Sequence, residues 1–354
     1  MRLQMIIPHS RPTIDKEDIK SVSEVLSSGN ISQGRKVKEF EDELARFVGV
    51  KHAIAVSSGT SALHIALKSL NIGLGDEVVM PSYVCSSPYL ATRYTGAEPR
   101  IVDISLLDLN ICAGTAKKGM TSKTKAIIVP HMFGCPADLN ELLDLGVPVI
   151  EDCALSLGAE YINAKVGSFG TISILSFYAT KMIATGEGGM ILTDDDEISE
   201  EATLLREYDK RPLSTISYNY KMTDIQAALG LSQLRKLNHF IERRRQIAKI
   251  YDEHFSECNL TSPLIQSHKR PVFYRYIVMI EGLEDIQMKA KEASIFCERP
   301  VWRPLHRSLG FPECENTDYA YEHALSIPLY PSLDEKEIEY ILQNLTAIFP
   351  TKKG

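Results

Sequence analysis

From Ala53 to Asp194 the chain repeats one pattern: a short apolar run, a polar or glycine-rich break, then a stretch with helical spacing. The runs are AIAV (53–56), EVVMP (77–81), RIVDI (100–104), KAIIVP (125–130), VPVIED (147–152), SILSFY (173–178) and GGMILTD (188–194). Near-continuous apolar runs of this length read as strands buried on both faces. Between them, segments such as SALHIALKSL place Leu63, Ala66, Leu67 and Leu70 on one helical face. Strands alternating with helix-length segments imply βαβ units with right-handed crossovers, hence a mostly parallel central sheet with flanking helices. The expected fold class is α/β.

The pattern changes at Thr223. TDIQAALGLSQLRKLNHFIERRRQIAKIYDEHF carries one apolar stripe through Ala227, Leu231, Leu234, Leu237, Ile241, Ala248, Tyr251 and Phe255. A helix this long usually bridges two units. We place a large domain with an N-terminal arm at 1–240 and a small α+β domain at 241–354. In the latter, VFYRYIVMI reads as a strand, DIQMKAKEASIFCE as a helix, and a closing helix starts at Glu335.

Composition narrows the function classes. A net charge of −7 with no basic stripe argues against nucleic-acid binding. No stretch approaches the ~20 apolar residues of a membrane span, and MRLQMIIPHSRP lacks a signal-type apolar core. Seven scattered cysteines without a C-x-x-C pair suggest a reduced, cytoplasmic protein and no zinc framework. His131 and Cys135 lie four apart, but no second ligand pair accompanies them, so no metal is expected. Nucleotide-binding motifs fail: GLGDE (73–77) opens a strand rather than a helix, and GTAKKGM (114–120) has Met120 where the phosphate-binding lysine should be.

Lys181, in SFYATKMIATGEGGMILTDD (176–195), lies between two apolar runs. A lysine there is costly unless its charge is paired or its amine is chemically used. Two other features bear on its use. SSGT (57–60) lies between a strand and a helix, where outward amides suit a phosphate, Gly59 permits close approach and Thr60 adds a hydroxyl; a plain Ser/Thr N-cap explains the turn equally well. Asp152 ends a strand, where open α/β sheets bind ligands, and it would need a cation such as a protonated pyridine nitrogen; an N-cap is the alternative. Ser176, five residues before Lys181, could share the phosphate. Together these residues suggest pyridoxal phosphate, with the lysine on the aldehyde and the aspartate on the ring nitrogen.

The same segments resemble the DegT/DnrJ/StrS-type nucleotide-sugar aminotransferases, a fold type I pyridoxal-phosphate family. The likeness runs from GNISQGRKVKEFE (29–41) to IPLYPSL (327–333) through VSSGTSALHIAL, GDEVVMPSY, VIEDCALSLGA, GSFGTISILSFYATKMIATGEGGMILTDD, YNYKMTDIQAALGLSQL and RPLH. The resemblance implies that Lys181 is the Schiff-base lysine, Asp152 the pyridinium partner, and Gly59, Thr60 and Ser176 the phosphate binders. It implies that Asn219 reaches the phosphate of a neighbouring subunit, hence a homodimer with shared sites, and that His306 lies near the sugar nucleotide. Two cofactor-contact positions depart from the family. Cys85 stands where an aromatic usually stacks on the pyridine, so Tyr83 or another ring would have to substitute. Leu155 stands where a glutamine usually bonds the ring hydroxyl; losing such a bond costs about 0.5–1.5 kcal/mol. Leu157 replaces a histidine in the same segment.

The implied reaction takes an amino group from glutamate to a nucleotide-linked keto-sugar. Three rivals are weighed: a dehydratase of this fold, which would carry histidine at Lys181; a non-catalytic member that has drifted at Cys85 and Leu155; and a pyridoxal-phosphate enzyme acting on a non-sugar amino acid. The Arg243–Arg244–Arg245 run reads as a solvated helix face; Trp302, beside Arg303, reads as a core residue with a nucleotide border as the alternative; and Tyr274 and Tyr276 read as strand packing rather than a base stack.

Overall fold

The computed structural model describes residues 5–210, 212 and 216–351. Each apolar run of the first half forms a strand: β1 (His52–Val56), β2 (Glu77–Pro81), β3 (Glu98–Val102), β4 (Thr124–Pro130), β5 (Val149–Asp152), β6 (Ile172–Ser176) and β7 (Gly189–Thr193). They make one sheet in the order β1-β7-β6-β5-β4-β2-β3. Its ladders are parallel except that β7 runs against both its neighbours, β1 and β6. The fold is therefore α/β with a mostly parallel central sheet. Such a sheet is covered on both faces because its crossover helices must pack there, and two cores result. Helices α1 (Lys16–Ser28) and α2 (Arg35–Val48) precede β1, and one core joins Phe40, Leu44 and Val48 of α2 to Leu237 and Ile241. The other packs Ile65, Ala66 and Leu67 of helix α3 (Gly59–Ser69) onto Ile54, Ile128 and Ile174.

The stretch that reads as one long helix spans Asp224–His254. It starts where a capping box is legible in the sequence: the Thr223 side chain accepts from the Gln226 amide while the Gln226 side chain accepts from Thr223 N. Its stripe serves two cores in turn. Ala227, Leu231, Leu237 and Ile241 join the first sheet core, whereas Ile247, Ala248 and Tyr251 join a third core with Ile286, Leu325, Ile341 and Leu345. Ile7 of the N-terminal arm also enters that third core, through a bridge to Ile295.

Two readings of this region are corrected. Arg244 is not on a solvated face: it is buried, and its guanidinium donates to the carbonyls of Phe273, Tyr274 and Leu329 at 3.3, 3.1 and 2.9 Å. Only Tyr276–Met279 of VFYRYIVMI is strand. Phe273, at φ 49°, turns the chain through the left-handed region, which is uncommon for a non-glycine residue, and frees Tyr274 from the ladder.

Candidate active site

The parallel strands β2, β4, β5 and β6 deliver their C-terminal ends to one cavity of about 600 Å³. From β2 come Val84, Cys85 and Ser86; from β4, Pro130, Met132 and Phe133; from β5, Asp152, Ala154 and Leu155; from β6, Tyr178, Thr180 and Lys181. Tyr274, Arg275 and the 300–309 segment close the far wall. Carboxyl ends of strands are where an open α/β sheet binds ligands, and the size suits a small organic molecule.

Asp152 is buried at the tip of β5, and its Oδ1 accepts only the Ala154 amide at 3.0 Å. Its Oδ2 has no partner among the described residues. Burial raises its pKa above the ordinary carboxylate value; the Ala154 amide and the Lys181 charge counter this only in part. A cation in the cavity would complete its bonding. Lys181 is half-buried and forms no ion pair with a described carboxylate. Its Nζ lies 5.5 Å from the Tyr274 ring centroid, and the Tyr274 hydroxyl meets that of Thr180 at 3.1 Å. Burial pushes the Tyr274 phenol up, but the charges of Lys181 and Arg275 outweigh it and hold the group below the usual tyrosine value. Tyr274 thus faces the cavity and is no mere strand-packing residue.

Gly59 and Thr60 form the first turn of α3, capped by Ser58, whose hydroxyl accepts the Ser61 amide. The first amides of a helix have no partner within it, so those of Gly59 and Thr60 are available to an anion. A Cβ on Gly59 would lie 2.9 Å from the Ser176 Cβ, and one on Gly189 only 2.3 Å from the Ser58 carbonyl oxygen. These glycines let the helix terminus seat directly on β6 and β7. The Thr60 hydroxyl meets that of Ser87 at 2.9 Å. An amide ledge, an unmatched buried carboxylate and an unpaired lysine are the three groups that pyridoxal phosphate requires, so the residues present fit it.

Cys85 and Leu155 both line the cavity, as cofactor contacts should. Tyr83 does not: it is fully buried and donates its hydroxyl to the Ala320 carbonyl at 3.3 Å, so it cannot stand in for a stacking ring. The rings on the cavity wall are Tyr89, Phe133, Tyr178, Tyr274 and Trp302. His306 is buried beside the cavity rather than on its lining; its Nδ1 meets the Ser82 hydroxyl at 2.6 Å and its Nε2 meets Asp318 at 3.2 Å. Asn219 is exposed, away from this lining, in a bridge to Glu207. Trp302 is not a core residue but is 87% exposed on the cavity wall.

Sequence reasoning passed over Arg275, which lines the cavity with no carboxylate partner among the described residues. It donates to the His9 ring at 2.7 Å, and burial, then the Arg275 charge, lower the His9 pKa to about 3, so His9 is a neutral acceptor. The legible signal was an arginine inside the apolar run VFYRYIVMI.

Glu151, the neighbour of Asp152, points to the opposite face and is fully buried. Its carboxylate accepts the amides of Gly167, Phe169 and Gly170 (2.8, 2.8 and 2.7 Å), the Ser173 hydroxyl (3.2 Å) and His131 Nε2 (3.0 Å). Burial opposes ionisation, but His131 and the amides win, holding its pKa below the ordinary value. Cys153 completes a cluster with these two, but both ring nitrogens of His131 are engaged, Nδ1 by the Ala137 amide at 3.1 Å, and burial drives the Cys153 thiol well up. The cluster ties β5 to the loop before β6. A depressed carboxylate contributes stability that is present above its unfolded pKa and lost as pH falls through the folded one. Glu151→Gln sets an NH2 against N–H donors, so we expect a loss of about 3–5 kcal/mol in urea unfolding at pH 7. The gap to wild type should narrow in acid; a variant within about 0.5 kcal/mol of wild type would contradict this.

A model of the DegT/DnrJ/EryC1/StrS aminotransferase family matches residues 12–346. The spore coat polysaccharide biosynthesis protein SpsC of Bacillus subtilis is 34% identical, with 95% of each chain covered. GDP-perosamine synthase of Caulobacter vibrioides is also 34% identical, covering 95% of this chain and 96% of that one. Among solved structures, the aminotransferase TlmJ of Streptoalloteichus hindustanus superposes with a TM-score of 0.92 at 28% identity, over 97% of this chain and 98% of its own.

Proposed function

The chain belongs to the DegT/DnrJ/EryC1/StrS aminotransferase family, and on that premise we propose that it moves an amino group from glutamate to a nucleotide-linked keto-sugar. It is a pyridoxal-phosphate-dependent sugar aminotransferase of amino-sugar biosynthesis. The observation that carries the assignment of its site is the placement of Lys181 and Asp152, 29 positions apart in sequence, on the wall of one cavity. The α3 turn is not itself on that lining but meets Ser87, the neighbour of lining residue Ser86, through the Thr60 hydroxyl.

Bound at this site, pyridoxal phosphate supplies an aldehyde carbon to carry the amino group and a ring that withdraws electrons from it. The Gly59 and Thr60 amides with the Ser176 hydroxyl would hold its phosphate. Asp152, through its open Oδ2, would keep the proton on the ring nitrogen. Lys181 Nζ would hold the aldehyde at rest and, as a free amine, would take the proton from the donor's Cα, with water supplying the keto oxygen of 2-oxoglutarate, and later supply a proton to the sugar carbon that receives nitrogen. Met132, Phe133 and Leu155 form the apolar part of the cavity wall around these groups. Arg275 is the cation available to the glutamate carboxylate. Leucine at 155 donates nothing to the ring hydroxyl, which weakens cofactor binding without removing any group that moves a proton.

Asn219 is exposed and absent from its own chain's cavity lining; family resemblance assigns it to the phosphate of a second copy, and on that ground we take the working unit to be a homodimer. A lysine at 181 disfavours the dehydratase reading, and an intact Lys181–Asp152 pair disfavours a non-catalytic one. No helix among the described residues is long and apolar enough to cross a membrane. With seven free thiols, we place the enzyme in the cytoplasm.

The test is to supply 15N-glutamate, pyridoxal phosphate and a panel of nucleotide-linked keto-sugars, and to weigh the products. Labelled nitrogen in the sugar is the expected result. Label that passes only into amino acids from added keto acids would move the enzyme to the non-sugar class.

A further inference from the structure

The segment 300–309 is pinned to the end of β2. Val301, Pro304, Leu305 and His306 are buried, Leu305 N donates to the Ser82 carbonyl at 3.0 Å, and His306 bonds the Ser82 hydroxyl. Between these fixed points Trp302 and Arg303 are turned outward, and both line the cavity that holds Lys181. A lone exposed apolar side chain is ordinary. This one is the chain's only tryptophan, and a rigid loop presents it on the wall of a substrate cavity.

The charges beside it are the second observation. Arg299 pairs with Glu284 at 3.1 Å, and Arg307 pairs with Asp318 and Glu322. Arg303, between them, meets only the Arg307 carbonyl at 3.3 Å among the described residues. The cavity lining carries Lys181, Arg275 and Arg303 against a single carboxylate, Asp152. A chain of net charge −7 therefore presents a cationic cavity, with a flat π face and an unpaired guanidinium side by side on a fixed loop.

We propose that Trp302 is the stacking platform for the nucleobase, and Arg303 the cation for the diphosphate, of the nucleotide-linked substrate. The assignment rests on the nucleotide-sugar reading above. Stacking on an aromatic plane tolerates any base, and a guanidinium fork matches phosphate oxygens two at a time. Because the loop is already anchored, little ordering opposes binding. Nucleoside diphosphates should therefore bind without a sugar and without the cofactor.

The single indole makes the test direct. GDP, UDP and dTDP are titrated into the full-length protein while tryptophan emission is read, with inorganic pyrophosphate as the control. At least one nucleotide should change the emission saturably, and pyrophosphate should not. Calorimetry with that nucleotide should give a Kd about tenfold higher for Trp302→Ala, and Arg303→Met should weaken it further. Both side chains are exposed, so neither change touches the core. Equal Kd in Trp302→Ala and wild type would overturn the assignment; label from 15N-glutamate still reaching a nucleotide-linked sugar would show that the parent reading survives. Binding of none of the three nucleotides would also overturn it, and no label in any sugar would remove both.

Discussion

Lys181→Ala is expected to lower the amino-transfer rate by at least about 10³-fold, because one substitution removes both the group that holds the cofactor and the base that moves the proton. The fold should survive. Lys181 is half-buried on a loop and makes no ion pair with a described residue, so its loss leaves no stranded buried charge. The melting temperature without cofactor should match wild type within about 2 °C, and the visible absorption that pyridoxal phosphate gains in the wild-type protein should be absent. Methylamine added to the variant should restore part of the rate, because the missing function is an amine. A variant that keeps most of its rate would remove Lys181 from the chemistry.

Asp152→Asn separates catalysis from stability in the opposite direction. The carboxylate is buried with one amide donor and an open Oδ2. Its pKa is raised by burial, so its ionised form is penalised in the cofactor-free fold. That penalty is absent below the unfolded pKa, grows as pH rises through the interval to the folded pKa, and is full above it. The cofactor-free variant should therefore melt at or above the wild-type temperature at pH 7, and the advantage should vanish in acid. With cofactor the order reverses: losing a charge-assisted bond should weaken pyridoxal phosphate about tenfold or more. Losing the fixed negative charge should slow transfer by about 10²–10³-fold. A variant destabilised without cofactor and unimpaired with it would mean that Asp152 is only a cap.

The features of the site that could be read in advance are those with local causes. Lys181 and Asp152 stood out because a charge next to an apolar run is costly, and because strand ends in this topology are where ligands sit. The Thr223 capping box and the SSGT turn are four-residue patterns whose hydrogen bonds close within the pattern. What could not be read depends on chain far away. Arg244 sits in an arginine run that looks solvated, yet carbonyls 29, 30 and 85 residues distant bury it. Tyr274 reaches the cavity only because Phe273 takes a left-handed conformation that its residue type does not advertise. In the sequence Trp302 can be a core residue or, beside Arg303, a nucleotide border, and only the burial of Val301, Pro304 and Leu305 around it turns it outward. The exclusion of Tyr83 from the cavity has the same origin, since Ala320 claims its hydroxyl from 237 positions away.

The central claim is that this cavity holds pyridoxal phosphate through Lys181. It is tested most directly by incubating the protein with the cofactor, reducing the complex with borohydride, and locating the phosphopyridoxyl group by peptide mass. The label is expected on the peptide that contains Lys181 and to be lost when Asp152 is replaced under limiting cofactor. Stoichiometric label on any other lysine, or no label at saturating cofactor, would contradict it.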